Sequence, residues 1–404
     1  MGSHRLSQRV EAVNESATLA IDGTAKKMLA QGVDVISFAA GEPDFATPEF
    51  IVEAAIEACR DPRNHHYTAA AGLVELREAI AVNSKRDSGL DVLPSQVIVT
   101  NGGKQAIYEV ISSLIDPGDE VLIPAPYWVS YPEIVRLAGG VPVSVPTTLE
   151  SGFKVDAETL ARYVTPRTKM LIHVSPSNPT GAVYTADETR ELAAFLDRAE
   201  LFVVSDEIYQ HLTYTGGRAP ALGEFASEAL IQRLILVNGC AKTYAMTGWR
   251  VGWIVAPPDI ASGVDRLQSQ LNSNVSNVMQ RAALAALTAP LSATQGMRDQ
   301  FGLRRELMVS TLSAIPGFEV AWPDGAFYAF PRVDGLIGAR SAGTPIESSF
   351  DVAKALLEHA EVAVVPGEAF DAPGYLRFSY ALSDQDITRG LQRVMEWAES
   401  CEKD

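Results

Sequence analysis

Along the middle of this chain, short runs of consecutive apolar residues alternate with segments whose apolar positions recur at a helical period. The runs 96–100, 120–123, 169–174, 201–205, 234–238 and 251–255 are rich in Val, Ile and Leu and apolar at nearly every position. Such runs predict strands covered on both faces, because a half-exposed strand alternates apolar and polar side chains. Between several of them, residues 104–115, 186–199 and 278–287 carry the helical spacing. Strands alternating with helices predict an α/β domain on a mostly parallel sheet. The last third differs. Residues 326–331, 362–365 and 375–380 read as strands and 350–359 and 384–398 as helices, which predicts a second, smaller α+β domain. Near the start, Gly41-Glu42-Pro43-Asp44 predicts a turn, and Pro48 suits the first turn of a helix over 49–59. We expect residues 1–48 to form an N-terminal arm and the first part of the small domain, 49–295 the large domain, and 296–404 the C-terminal small domain.

Composition narrows the class. A chain of 404 residues exceeds what one compact core usually carries. Its net charge of −17 repels nucleic-acid phosphates, so no nucleic-acid partner is expected. Cys59, Cys240 and Cys401 are scattered, and neither they nor the six histidines have metal-ligand spacing. No disulfide framework and no metal site are expected, and the reducing cytoplasm is the expected compartment. No run of about 18 apolar residues predicts a membrane span. Residues 1–10 hold Arg5 and Arg9 without the apolar centre of a secretory signal, and Met1-Gly2-Ser3-His4 is given no structural weight.

Four segments carry chemistry, each just beyond a predicted strand. In Thr100-Asn101-Gly102-Gly103-Lys104-Gln105 a strand ends, two glycines turn and a helix begins. Helix N-termini present free N–H groups to anions, so this turn can cradle a phosphate; a plain turn is an equal reading, and the glycine spacing is not that of a P-loop. Ser175-Pro176-Ser177-Asn178-Pro179-Thr180-Gly181 would hold Asn178 rigidly, although an ordinary Asn-Pro turn reads the same. Asp206 ends a buried run, where it can face a cationic ring nitrogen or simply cap a helix. Lys242 lies in a stretch poor in charge, where desolvation frees an amine for covalent chemistry, and Arg250 follows after Gly248-Trp249 as a phosphate clamp. Taken singly, each has a bland reading. Four strand ends delivering a phosphate turn, an amide, a carboxylate and a lysine–arginine pair to one rim match the needs of a phosphorylated pyridine aldehyde.

At these residues the chain resembles the class I, fold-type I pyridoxal 5′-phosphate (PLP) aminotransferases, most closely the bacterial aspartate aminotransferases of the Ib subgroup. The resemblance runs from about Leu6 to Trp397. Further landmarks are Ser16-Ala17-Thr18, Gly41-Glu42-Pro43-Asp44-Phe45, Tyr67-Thr68, Pro126-Tyr127-Trp128, Ser205-Asp206-Glu207-Ile208-Tyr209, Gly248-Trp249-Arg250 and Arg377-Phe378-Ser379-Tyr380. It implies a seven-stranded, mostly parallel sheet between helices, PLP as cofactor, and amino and oxo acids as substrates. It implies that Lys242 holds the cofactor and shuttles the substrate proton, and that Asp206 pairs with the pyridine nitrogen. Asn178 and Tyr209 would bond the ring oxygen, and Trp128 would stack on the ring. Gly103, Lys104 and Arg250 would bind the phosphate. Tyr67 would reach the neighbouring subunit's phosphate, making a homodimer with shared sites. Arg377 would fork onto the substrate α-carboxylate beneath the Gly41 backbone, with Trp128 and Asn178 lining the same space.

The implied reaction moves the amino group of L-aspartate to 2-oxoglutarate. Two departures bear on it. The other aspartate aminotransferase subgroup uses an arginine to read the distal carboxylate, and residues 268–278 here contain none; Lys104 would take that role. Members that accept prephenate carry a lysine before Ser-Ala-Thr, where this chain has Asn14-Glu15. Kynurenine, alanine or aromatic aminotransferases and C–S β-lyases share the cofactor motifs and remain alternatives. A DNA-binding regulator built on this fold would need a further basic helix-turn-helix, and is not expected.

Overall fold

The computed structural model describes residues 6–402. Residues 1–5 and 403–404, and with them the very start of the expected arm and the end of the expected small domain, lie outside the described residues.

The central sheet has seven strands: β1 (Val97–Thr100), β2 (Glu120–Ala125), β3 (Val141–Pro146), β4 (Thr168–Val174), β5 (Phe202–Asp206), β6 (Leu234–Gly239) and β7 (Gly252–Val255). Their order is β1-β7-β6-β5-β4-β2-β3, with β7 antiparallel to both neighbours and the other contiguous pairs parallel. Six of the seven lie within two residues of the runs read from the sequence. The unread strand is β3, Val-Pro-Val-Ser-Val-Pro. It lies at the sheet edge beside β2 alone. Proline lacks the N–H a central strand must donate, so Pro142 and Pro146 are tolerated only there, and most of the strand's residues reach solvent. Both reasons erase the apolar run.

Alternate residues of the same strands feed two cores. Val99, Leu122, Leu171, Val203 and Leu236 point to one face, and Ile98, Val121, Ile172, Val204 and Val237 to the other. Helices Glu49–Arg60, Val74–Ser88 and Asn277–Thr288 cover the first face, and Gly103–Leu114 and Pro258–Leu271 the second. Val74–Ser88 was not legible because it buries Ser84, Asp87 and Ser88 along with Leu76 and Ile80, which blurs the apolar stripe.

A third core draws on both ends of the chain. Ile36 and Phe38 pack with Phe301, Met308, Leu312, Val352, Phe378 and Leu391. Two small sheets frame it: Ile36–Ser37 pairs in parallel with Val362–Ala363, and Val365–Pro366, Leu376–Ser379 and Tyr328–Ala329 form an antiparallel triplet. The strand expected over 362–365 is therefore two strands. The chain changes partners at Val364, pairing first with the N-terminal segment and then with Leu376–Ser379. Only Tyr328–Ala329 of the expected 326–331 strand forms ladder bonds.

Candidate active site

The carboxyl ends of β1, β4, β5 and β6 open onto one rim, and the four predicted segments meet there. After β1, Gly102 takes a φ of +86°, and a Cβ on it would lie 2.7 Å from Arg250 Nη2. Only glycine lets the turn approach Arg250 this closely. Helix Gly103–Leu114 starts at once. The amides of Gln105 and Ala106 turn back onto the Gly102 carbonyl, which leaves those of Gly103 and Lys104 at the open helix end. Arg250 closes the cradle from the β7 side. Its backbone is left-handed at φ +56°, and its guanidinium donates to the carbonyls of Thr247 at 3.0 Å and Asn101 at 3.2 Å.

Asp206 is the last residue of β5 and is buried. It accepts from the Tyr131 hydroxyl at 2.9 Å and the Ile208 amide at 3.1 Å. Burial pushes its pKa up to about 6, against the lowering effect of those two bonds. No cation lies within ion-pair distance among the described residues. A buried carboxylate with neutral partners is suited to a positively charged group arriving from outside the chain.

Lys242 follows β6 and is half-buried. Its ammonium donates to the Gly41 carbonyl and lies 5.7 Å from the ring centres of both Tyr209 and Phe327. Desolvation lowers its pKa to about 8, which leaves roughly a tenth of it as free amine at neutral pH. Lys104 also has a lowered pKa, from desolvation and from the charge of Arg250; its ammonium sits 5.0 Å above the Trp128 ring.

Arg377 stands on the strand Leu376–Ser379 and is only 2% exposed. It donates to Asn178 Oδ1 at 3.0 Å and to the Ala39 carbonyl at 2.7 Å, and its Nε has no acceptor. Among the described residues no carboxylate pairs with it. Asn178 thus joins Arg377 to the rim, held by a loop in which the Gly181 amide donates to the Ser177 carbonyl at 2.9 Å. Gly181 has φ +70°, and a Cβ there would come within 2.3 Å of Pro323.

Three residues that the motifs did not single out belong to the site. Tyr131 bonds Asp206, and its ring meets Trp128 edge-on at 5.4 Å. Tyr328 bonds the Tyr209 hydroxyl at 2.9 Å. Ala39 offers its carbonyl to Arg377. Tyr131 stands one turn after Trp128, its amide donating to the Trp128 carbonyl at 3.0 Å as the helix Ser130–Leu137 begins. A backbone carbonyl carries no side-chain signal. Tyr67, in contrast, is 90% exposed.

The fold and this constellation define a class, and comparison with known proteins agrees. The family described as aminotransferase class I and II matches residues 33–394, and the chain belongs to that family. An aspartate aminotransferase of Streptomyces avermitilis is 52% identical over 392 residues, covering 97% of this chain and 96% of its own. A probable aspartate/prephenate aminotransferase of Aquifex aeolicus is 43% identical, covering 96% of this chain and 97% of its own. The solved aspartate aminotransferase from Rhizobium meliloti has a TM-score of 0.95 at 37% identity, over 98% of this chain and 100% of that one. The Thermus thermophilus aspartate aminotransferase with maleate gives 0.90 at 41% identity, over 97% and 99%. The fold is that of the fold-type I aminotransferases.

Proposed function

We propose that this chain is an aspartate aminotransferase of the Ib type, which moves the amino group of L-aspartate to 2-oxoglutarate with PLP held on Lys242. The observation that carries the reading is Arg377: a buried guanidinium with an unpaired Nε, sharing the segment 39–41 with the lowered amine of Lys242. A planar fork buried without an anion suits a substrate carboxylate. The names of the relatives support the choice of aspartate.

The residues fit PLP. The Gly102 turn and Arg250 suit its phosphate, the cation-free Asp206 suits its ring nitrogen, and Trp128, Asn178 and Tyr209 surround the space between. When bound, the cofactor supplies the electron sink that lets a Cα–H bond of an amino acid break. Lys242 Nζ would be the group that carries that proton. Asp206, oriented by Tyr131, would face the cofactor's ring nitrogen and favour its protonated form. Arg377 fixes the substrate's α-carboxylate while Asn178 keeps the guanidinium in plane. We place the boundaries of the large domain at 49–295, supported by a core in which Ile36 and Phe38 pack with residues after 300 and to which the large domain adds chiefly Tyr209 and Leu212. The reducing cytoplasm suits its three free cysteines, and no described helix is long and apolar enough to cross a membrane.

Purified protein given L-aspartate and 2-oxoglutarate should yield oxaloacetate and glutamate. No oxaloacetate from aspartate, with pyruvate, ammonia and a free thiol released from an S-substituted cysteine, would instead identify a C–S β-lyase. Lys104 is the proposed reader of the distal carboxylate. Lys104→Ala should raise KM for aspartate by about thirtyfold or more, since losing a partly buried charge partner commonly costs ~2–5 kcal/mol, while KM for alanine barely moves. Equal losses for both donors would confine Lys104 to the phosphate cradle.

The exposed Tyr67 supports a homodimer in which each subunit completes its partner's site. Subunits carrying Lys242→Ala, mixed with subunits carrying Tyr67→Phe, should regain activity well above the sum of the two parents. Activity that never exceeds that sum would argue for self-contained sites.

A further inference from the structure

Tyr328 is fully buried where three candidate residues meet. The Arg377 guanidinium lies 4.6 Å from the centre of its ring. Its hydroxyl is 2.9 Å from that of Tyr209. A Cβ on Gly41 would lie 3.7 Å from the same hydroxyl. Strand pairing fixes the arrangement, because Tyr328 is registered against Ser379 on the strand that bears Arg377. We propose that Tyr328 is a positioning residue that couples the substrate-carboxylate clamp to the cofactor clamp: its ring face supports Arg377, and its hydroxyl donates to the Tyr209 oxygen. The proposal rests on the reading of Lys242 as the cofactor's anchor and of Tyr209 as a partner of the cofactor ring oxygen.

The chemistry of both contacts points the same way. Arg377 has two neutral oxygen partners and no counter-ion among the described residues. An aromatic face is the remaining means of holding a desolvated cation before its anion arrives. A phenol has one proton to give and lone pairs to receive one. If Tyr209 gave its proton to Tyr328, none would be left for the cofactor oxygen. The charge of Arg377 favours the opposite direction. Burial raises both phenols and the charge of Arg377 lowers both, but it is the Tyr328 ring that the guanidinium lies over, at 4.6 Å, and the phenol nearer a cation is the better donor. Tyr328 is therefore the donor, and Tyr209 keeps its proton for the ring oxygen.

The test uses holoenzyme and two readouts. One is the pH midpoint of the bound cofactor's visible band without substrate. The other is the Kd of maleate, a dicarboxylate that does not react. A donor to an oxygen anion favours the deprotonated form, so weakening Tyr209 moves the midpoint upward. Tyr328→Phe keeps the ring and should raise the midpoint by about half a unit to one unit, with maleate Kd within about threefold. Tyr328→Leu should in addition raise maleate Kd by roughly threefold to thirtyfold. Adding Tyr328→Phe to Tyr209→Phe should move the midpoint no further than Tyr209→Phe alone, which a merely structural role would not produce. An unchanged midpoint in Tyr328→Phe, or fully additive shifts, overturns the proposal, and both are readable even if the leucine variant fails to fold. A parent protein without the visible band overturns the reading of Lys242, and this inference with it.

Discussion

Lys242→Ala should lower the rate of transamination by about 10⁴-fold or more, because the role proposed for it makes one side chain both covalent anchor and proton carrier. The structure gives the physical basis. The amine is desolvated to a pKa of about 8 and lies beside the edge-on pair of Tyr209 and Phe327 just past a strand end. No carboxylate lies within ion-pair distance among the described residues, and the more distant charge of Glu42 only partly offsets the lowering by burial. Alanine removes the amine without disturbing β6, which ends before it at Gly239. The variant should fold, retain the phosphate cradle, and bind the cofactor loosely. The check is a steady-state assay beside a thermal melt. A folded variant within about tenfold of the parent would leave Lys242 without its role.

Asp206→Asn should bind the cofactor and yet slow the half-reaction with aspartate by about 10²-fold or more. Asparagine keeps the size of the side chain but has one acceptor oxygen for two donors, which bond Asp206 at Oδ2 (Tyr131 hydroxyl, 2.9 Å) and Oδ1 (Ile208 amide, 3.1 Å). Its oxygen can accept from the Ile208 amide while its NH2 donates to a Tyr131 hydroxyl turned to accept. What it lacks is the charge. A charge-assisted hydrogen bond to a cationic ring nitrogen is worth about 1.5–3 kcal/mol, so cofactor retention should weaken by roughly tenfold to a hundredfold. The rate should fall further, since electron density flows towards the ring nitrogen only if its proton is held there. Burial holds the Asp206 carboxyl up at about 6 in the cofactor-free chain. Pairing with a positive ring should draw that value down and keep the carboxylate ionised through neutral pH. Stopped-flow measurement of the half-reaction gives the rate, and near-parent turnover would contradict the role.

The extent to which this site could be read from the sequence follows from where each residue sits. Lys242, Asp206, Asn178 and the Gly102-Gly103-Lys104 turn were legible because each follows a continuous apolar run, and the ends of parallel strands share one rim. The edge strand Val141–Pro146 was not legible because its prolines and exposed side chains imitate a loop. Arg377 and Gly41 were reached through resemblance, since a two- to four-residue strand and a turn leave little periodicity to read. Tyr328 was invisible for a related reason. It lies in the apolar sequence Ala326-Phe327-Tyr328-Ala329-Phe330, where one aromatic residue looks like another. Only the strand register against Ser379 separates the ring that touches Arg377 from those that fill the core.

The central claim is that Lys242, brought to the strand rim opposite Asp206 and Arg377, carries the cofactor. Borohydride reduction of the yellow holoenzyme, followed by proteolysis and mass mapping, tests it most directly. The predicted result is a single pyridoxyl group on the peptide Asn238-Gly239-Cys240-Ala241-Lys242-Thr243, with Lys104 unmodified. A pyridoxyl group on Lys104 or any other lysine, with Lys242 free, would contradict the account.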